Sequence, residues 1–219
     1  MRRASVLACA VAAAAPLLVA AAGAAPGESV LDYFWPPEEG KTYVYEFGRD
    51  TRRLVRIVDA AREPGGVVRV ETESRVEGAG PRVPPGAVGQ TLRETFRFAP
   101  AEQAIYRRAA ASPRPESLLL KGPVRAGTRW QPAAGPPAPA GPPAPEGAAV
   151  CTIERVGPRT VLGKEATCAD VLCLVPSTGA ERGTRAVFCR GIGYAGAEAA
   201  LRVGGETHAE TTERLVEIR

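Results

Sequence analysis

The residue types able to do chemistry are few in this 219-residue chain, and cysteine leads them. Cys9 lies near the start, and Cys151, Cys168, Cys173 and Cys189 all fall in the last third. Thiolates at those spacings lack the close Cys-x-x-Cys knuckles of a tetrahedral zinc site, so no metal is expected. An even set in an oxidising compartment points to two disulfides, and four cysteines allow three connectivities. A hairpin of Cys168–Val175 with Arg185–Cys189, turning near Gly179–Arg182, sets Cys173 opposite Cys189. An earlier hairpin across Gly157-Pro158 brings Cys151 towards Cys168. The expected bridges are therefore Cys151–Cys168 and Cys173–Cys189.

His208 is the one histidine, in the polar stretch Gly204-Gly205-Glu206-Thr207-His208. A Ser-His-Asp triad would have to use it, and no Gly-x-Ser-x-Gly elbow is present. It reads as a solvent-facing residue at a loop or strand edge. Paired-carboxylate hydrolysis needs two acids across a cleft. Glu71, Glu73 and Glu77 alternate instead on one charged strand face, which is a wet surface. Gly191-Ile192-Gly193-Tyr194-Ala195-Gly196 resembles a dinucleotide loop only in glycine content, because no helix pattern follows it. No catalytic residue and no cofactor is assigned. An exported hydrolase with an unrecognised carboxylate site stays open as the alternative.

The elements that would have to position such groups are strands. Tyr33 to Phe47 holds six of the twelve aromatics of the chain. Its triplet Tyr33-Phe34-Trp35 enters Pro36-Pro37, Gly40 closes the turn, and Tyr43, Tyr45 and Phe47 alternate with Val44 and Glu46. Period two marks a strand with one buried face. Arg53–Asp59 follows, then Val68–Glu77, where an apolar or small face opposes a wholly charged one. Thr91–Phe98 continues the pattern, with Glu94 interrupting its apolar side near the sheet rim. Ala101–Ala111 is ambiguous between helix and strand, and the Ile105-Tyr106 pair favours a short strand. Leu118–Lys121, Val150–Val156, Thr160–Leu162, Cys168–Val175, Arg185–Cys189, Ala199–Val203 and Thr211–Ile218 read as further strands. Turns are marked by Gly157-Pro158, by Pro176–Gly179 and by Gly191–Gly196. The strand pattern gives a mainly β fold class with at most one or two short helices.

Composition sets the address. Arg2 and Arg3 precede an apolar run from Val6 to Ala22, and Ala22-Gly23-Ala24 is a small-x-small site; residues 1–24 read as a cleaved signal peptide. Val6-Leu7-Ala8-Cys9 comes too early for a lipoprotein box. Residues 25–219 are expected to form one β-rich domain, exported, with no membrane span after processing. A proline-, alanine- and glycine-rich excursion occupies 132–148 and cannot build a core. The formal charge of +4 includes Arg2 and Arg3, and the remaining charges are interspersed. That distribution gives no basic surface for nucleic acid.

Three motifs in order carry a resemblance. Tyr33-Phe34-Trp35-Pro36-Pro37 with Gly40 and Tyr43-Val44-Tyr45 forms the first. Leu118-Leu119-Leu120-Lys121 leading to Gly127-Thr128-Arg129-Trp130 forms the second. Val161 to Val175, followed by Val187-Phe188-Cys189-Arg190-Gly191-Ile192-Gly193-Tyr194, forms the third. Together they resemble the uncharacterised TapB-type and related domains of unknown function, found as secreted proteins or lipoproteins. The chain departs from that pattern at Thr42, where Trp is common, in its proline-rich insertion and in its cysteines. The resemblance implies a strongly curved antiparallel sheet or partly open β-barrel, of the kind used by periplasmic lipoprotein carriers, and it brings no catalytic residue. The functional expectation is a non-catalytic envelope protein binding an apolar ligand, such as a lipid, or a partner protein. Tyr43, Tyr45, Phe47, Phe96, Phe98 and Trp130 are the candidate contacts, with core packing as their competing role. A purely structural surface protein is the remaining alternative.

Overall fold

The computed structural model describes residues 28–47, 50–78, 88–110, 116–132, 149–177 and 180–219. Its strands are β1 (Thr42–Phe47), β2 (Thr51–Arg62), β3 (Val68–Glu77), β4 (Thr91–Ala99), β5 (Ala104–Ala109) and β6 (Ser117–Lys121). They continue as β7 (Arg129–Trp130), β8 (Val150–Val161), β9 (Lys164–Ser177), β10 (Ala180–Cys189), β11 (Gly193–Val203) and β12 (Glu206–Ile218). All join one 12-stranded sheet in the order β6-β5-β4-β3-β2-β1-β12-β11-β10-β9-β8-β7. The ladders are antiparallel, and β1 pairs with β12 to join the two halves.

The two edges of this sheet, β6 and β7, come together. Leu118 N donates to Pro132 O at 2.9 Å, and Trp130 Nε1 donates to Leu118 O at 3.3 Å. The sheet therefore curls into a nearly closed barrel, the curved sheet that the family resemblance implied. Bulges relieve the curl by adding a residue on one strand. One lies at Val58 in β2, where Ile57 pairs with Thr72 and Asp59 with Glu71. Another lies at Leu119 in β6.

A meander places its turns at alternating ends. The β1–β2, β3–β4, β9–β10 and β11–β12 turns share one end, here called the mouth. The β2–β3, β4–β5, β8–β9 and β10–β11 turns share the other. The segment before β1 closes that second end. Val30–Tyr33 form a 3-10 turn capped by the Ser29 side chain. Val30 and Tyr33 are fully buried, and Phe34 and Trp35 nearly so. The docking is close. Gly191 N donates to Asp32 O at 2.8 Å, and a Cβ on Gly122 would lie 2.8 Å from Val30 Cγ2. Tyr33-Phe34-Trp35 is thus a plug laid across the barrel end. Proximity to β1 in sequence showed the aromatic cluster but not that its first half leaves the sheet.

Inside, one apolar cluster takes residues from both halves, among them Tyr43, Tyr45, Ile57, Phe96, Ile105, Ile153 and Phe188. Burying side chains of this size contributes about 1.5–3 kcal/mol each. Outside, Leu172, Leu174 and Ala200 form a second patch. Arginine and glutamate stems lie on the same part of the sheet: Arg185 pairs with Glu154 and Glu198, and Arg202 with Glu154 and Glu181. The alternating acids of β3 behave as a wet face, with Arg69–Glu71, Arg93–Glu73 and Arg75–Glu77 pairs.

Three sequence expectations are corrected. Gly157-Pro158 is not a turn; both lie inside β8, paired with Cys168 and Thr167. Beyond Ile153 the outer side of β8 pairs with no strand among the described residues, so Pro158 sits on an edge, where a missing N–H is tolerated. The turn is Leu162-Gly163, between the paired Val161 and Lys164. Both residues have positive φ, 54° and 74°, the geometry of a primed two-residue hairpin turn. Gly193–Gly196 likewise belong to β11 and not to a turn.

The third correction is the disulfide pairing. The bridges are Cys151–Cys173 and Cys168–Cys189, not Cys151–Cys168 and Cys173–Cys189. Ser177 pairs with Ala180, so the β9–β10 hairpin turns earlier than expected and sets Cys168 opposite Cys189. The later β8–β9 turn sets Cys151 opposite Cys173. Each bridge is a direct cross-strand pair. The excursion expected at 132–148 falls, from residue 133 onward, outside the described residues.

Candidate functional site

Between the plug and the mouth the barrel holds a cavity of about 380 Å³. Its floor is Tyr33, Phe34 and Trp35 from the plug. One wall carries Val55, Phe96, Ile105 and Leu118; the other carries Val171, Ala186 and Phe188. The Trp35 ring meets Phe96 edge-on at 4.5 Å, and Phe188 meets Tyr194 at 5.8 Å. The bulge in β6 brings Leu119 to the cavity beside Leu118. This is the re-aiming of a side chain that bulges produce near sites.

Two ion pairs interrupt this apolar surface. Arg53 Nε donates to Glu213 Oε1 at 2.6 Å, and Tyr194 OH donates to Glu213 Oε2 at 2.8 Å. Tyr45 OH donates in turn to Tyr194 O at 2.9 Å. The Arg53 guanidinium stands 5.1 Å from the Tyr45 ring centroid and 6.0 Å from that of Tyr194, within cation–π range. In the same half of the sheet as Arg53, Arg107 on β5 donates to Glu94 Oε1 on β4 through Nε at 2.8 Å and also through Nη2. Glu94 and Glu213 are each only 7% exposed, whereas Arg107 is half-exposed. Arg53 is the third residue of β2 from the mouth, and Arg107 the third from the mouth end of β5. Both pairs border the one cavity and make a polar collar within its apolar lining. Ser117 and Thr184 add hydroxyls near the opening.

The electrostatics suit holding rather than reacting. Burial pushes the Tyr45 hydroxyl well above its usual range, with Arg53 opposing and Glu213 reinforcing the shift. Burial, then the Glu213 charge, does the same to Tyr194. Burial works against the Arg53 cation, but Glu213 and the two tyrosines outweigh it and keep the guanidinium charged. Each carboxylate of the lining is held by an arginine, and among the described residues none is set as a nucleophile beside a base. His208 is exposed on β12 opposite Leu201, away from the cavity. Among the described residues no group of His, Cys, Asp or Glu is arranged to hold a metal.

Of the six aromatics singled out from sequence, Phe96 lines the cavity. Tyr43, Tyr45, Phe98 and Trp130 are buried in the core around it. The Phe47 side chain lies outside the described part. Tyr45 still touches the site through Arg53 and Tyr194. Sequence reading missed Arg53, Arg107 and Glu213, and placed Glu94 at a rim. A signal was available: each is a charge in phase with a buried stripe, Arg53 with Val55 and Ile57, Glu94 with Phe96 and Phe98, Arg107 with Ile105, and Glu213 with Leu215.

No protein-family model and no curated protein sequence matches the chain. Among solved structures it is similar to a protein from Bacteroides fragilis NCTC 9343, described as exported and as having a YmcC-like fold. The two share 10% identity with a TM-score of 0.52, over 85% of this chain and 98% of that one. A protein from Parabacteroides distasonis ATCC 8503, described as a lipoprotein, is 10% identical with a TM-score of 0.49 and the same coverage. The likeness is one of fold, and it is to the YmcC-like fold rather than to a TapB-type family. No helix among the described residues is long and apolar enough to cross a membrane. The chain is a curved, nearly closed antiparallel sheet with the YmcC-like fold.

Proposed function

We propose that this chain is an exported, non-catalytic binding protein that takes an apolar ligand into its plugged barrel. The observation that carries the reading is the cavity itself: about 380 Å³ and largely apolar on floor and walls. Sites of this size with a few placed polar groups are the usual form of small-ligand pockets. Export is supported by the signal-like leader, by two cross-strand disulfides suited to an oxidising compartment, and by the exported relative from Bacteroides fragilis. The lining suits a lipid tail, as a carrier of lipid or lipoprotein would require. The pairing of both lining carboxylates, Glu94 and Glu213, with arginines favours binding over the hydrolase alternative, which needs a carboxylate free to act as acid or base.

The test is binding of the neutral fluorophore N-phenyl-1-naphthylamine to the mature protein. Ala186 lines the cavity, so Ala186→Trp fills it. One saturable site in the parent and none in A186W is the expected result. Absence of binding to the parent, or equal binding to both proteins, refutes the reading.

A further inference from the structure

We infer that the cavity takes an amphiphile tail first and holds its anionic head, a carboxylate or a phosphate, at the collar of Arg53 and Arg107. This deepens the binding reading above and rests on it. The argument is an inventory of donors and acceptors. Glu213 is engaged through both oxygens, Oε1 by Arg53 and Oε2 by Tyr194. Glu94 Oε1 accepts twice from Arg107. A guanidinium carries five N–H donors in a planar fork, and a carboxylate carries none. Among the described residues Glu213 takes one N–H of Arg53 and Glu94 takes two of Arg107, so within that set the collar keeps donors in excess. Ser117 and Thr184 can donate as well. An occupant that satisfies these groups must bring acceptors, and anionic acceptors pair most strongly with arginine.

Placement sets the orientation. The collar lies at the mouth level of β2 and β5. Trp35, Phe96 and Phe188 lie in the apolar space with it. A tail on the floor leaves a head level with the two arginines. The ion pairs also need a reason to be there. Buried pairs are weak contributors to stability, since desolvation cancels most of the attraction. Held by glutamate in the empty protein, each guanidinium stays oriented for an incoming acceptor.

The experiment compares three probes with one tail: dodecanoate, dodecyl phosphate and dodecanol. Each is titrated below its critical micelle concentration at pH 8, and Trp35 emission reports occupancy of the floor. At least one acid should bind roughly tenfold tighter than the alcohol, the scale of a charge-assisted hydrogen bond. An advantage for the carboxylate alone assigns the head to a fatty acid. An advantage for the phosphate alone assigns it to a phospholipid-type head, and an advantage for both assigns it to either acid. Arg53→Met with Glu213→Leu removes one pair without stranding a charge, and Arg107→Gln weakens the other at its half-exposed end. Either change should bring the acid-to-alcohol affinity ratio towards one. Equal binding of all three probes to the parent overturns the anionic head and leaves the apolar-ligand reading standing. An advantage that persists in both variants overturns the role of the collar. No binding of any probe overturns both readings.

Discussion

Gly193 is the position where the plug and the barrel press hardest on each other, and Gly193→Ala measures that contact. Its φ is +89°, and an added Cβ would fall 2.4 Å from Trp35 Cδ1 and 2.9 Å from both Trp35 Cγ and Trp35 N. Two costs add. A β-carbon at positive φ costs about 1–2 kcal/mol. Forcing a methyl into filled space costs about 1–3 kcal/mol more. The sum, about 2–5 kcal/mol, is a large part of the 5–15 kcal/mol typical of a folded domain. Gly191 is the control. Its φ is +70°, and a Cβ there meets nothing within 4 Å, so Gly191→Ala should cost only the backbone part, about 1–2 kcal/mol. Urea unfolding followed by circular dichroism gives both values. Tryptophan emission should shift in the folded state of G193A and stay unchanged in G191A. Equal costs for the two variants, with no change in emission, would refute the claim that Trp35 is seated against the β10–β11 turn.

Three further outcomes follow from the same geometry. Non-reducing peptide mapping should link Cys151 to Cys173 and Cys168 to Cys189. Each bridge closes a loop of 22 or 21 residues and contributes about 3 kcal/mol on the chain-entropy model, so a double Cys→Ala variant of one pair should lose that amount. All five tyrosines should resist ionisation near pH 10. Burial is the largest cause at each, raising Tyr106 to about 12, Tyr33, Tyr43 and Tyr45 further, and Tyr194 well above its ordinary value. The unfolded chain loses these protons near pH 10 and the folded chain does not, so stability is intact below pH 10 and falls as pH rises above it. Absorbance at 295 nm should therefore rise together with unfolding; a tyrosine titrating near 10 in the folded protein would contradict it. Ala186→Leu should fill part of the cavity, stabilise the protein by about 0.5–2 kcal/mol and weaken naphthylamine binding at the same time.

Much of the fold was legible because half-buried strands write their faces in alternation. Val68–Glu77 reads the same in sequence and structure: Val68, Val70, Thr72 and Ser74 inward, acids and arginines outward. Turn chemistry was less readable. Leu162-Gly163 makes a primed turn with a leucine at positive φ, a choice no composition rule flags, while Gly157-Pro158 imitates a turn inside an edge strand. Moving those turns by a few residues exchanged every cysteine partner. The cavity was legible only in part. Its aromatic floor stood out as Tyr33-Phe34-Trp35. The Arg53–Glu213 pair spans 160 positions and forms only because β12 returns to β1, which local pattern does not encode. Glu94 looked like an interruption of its strand because its partner, Arg107, lies on an adjacent strand whose type was itself ambiguous.

Native mass spectrometry of the protein taken from the exported fraction, followed by organic extraction, tests the central claim most directly. The account predicts one discrete bound mass of amphiphile size, recovered in the extract and absent from Ala186→Trp. A mass equal to the bare mature chain less four hydrogens, two for each bridge, in both proteins would contradict it.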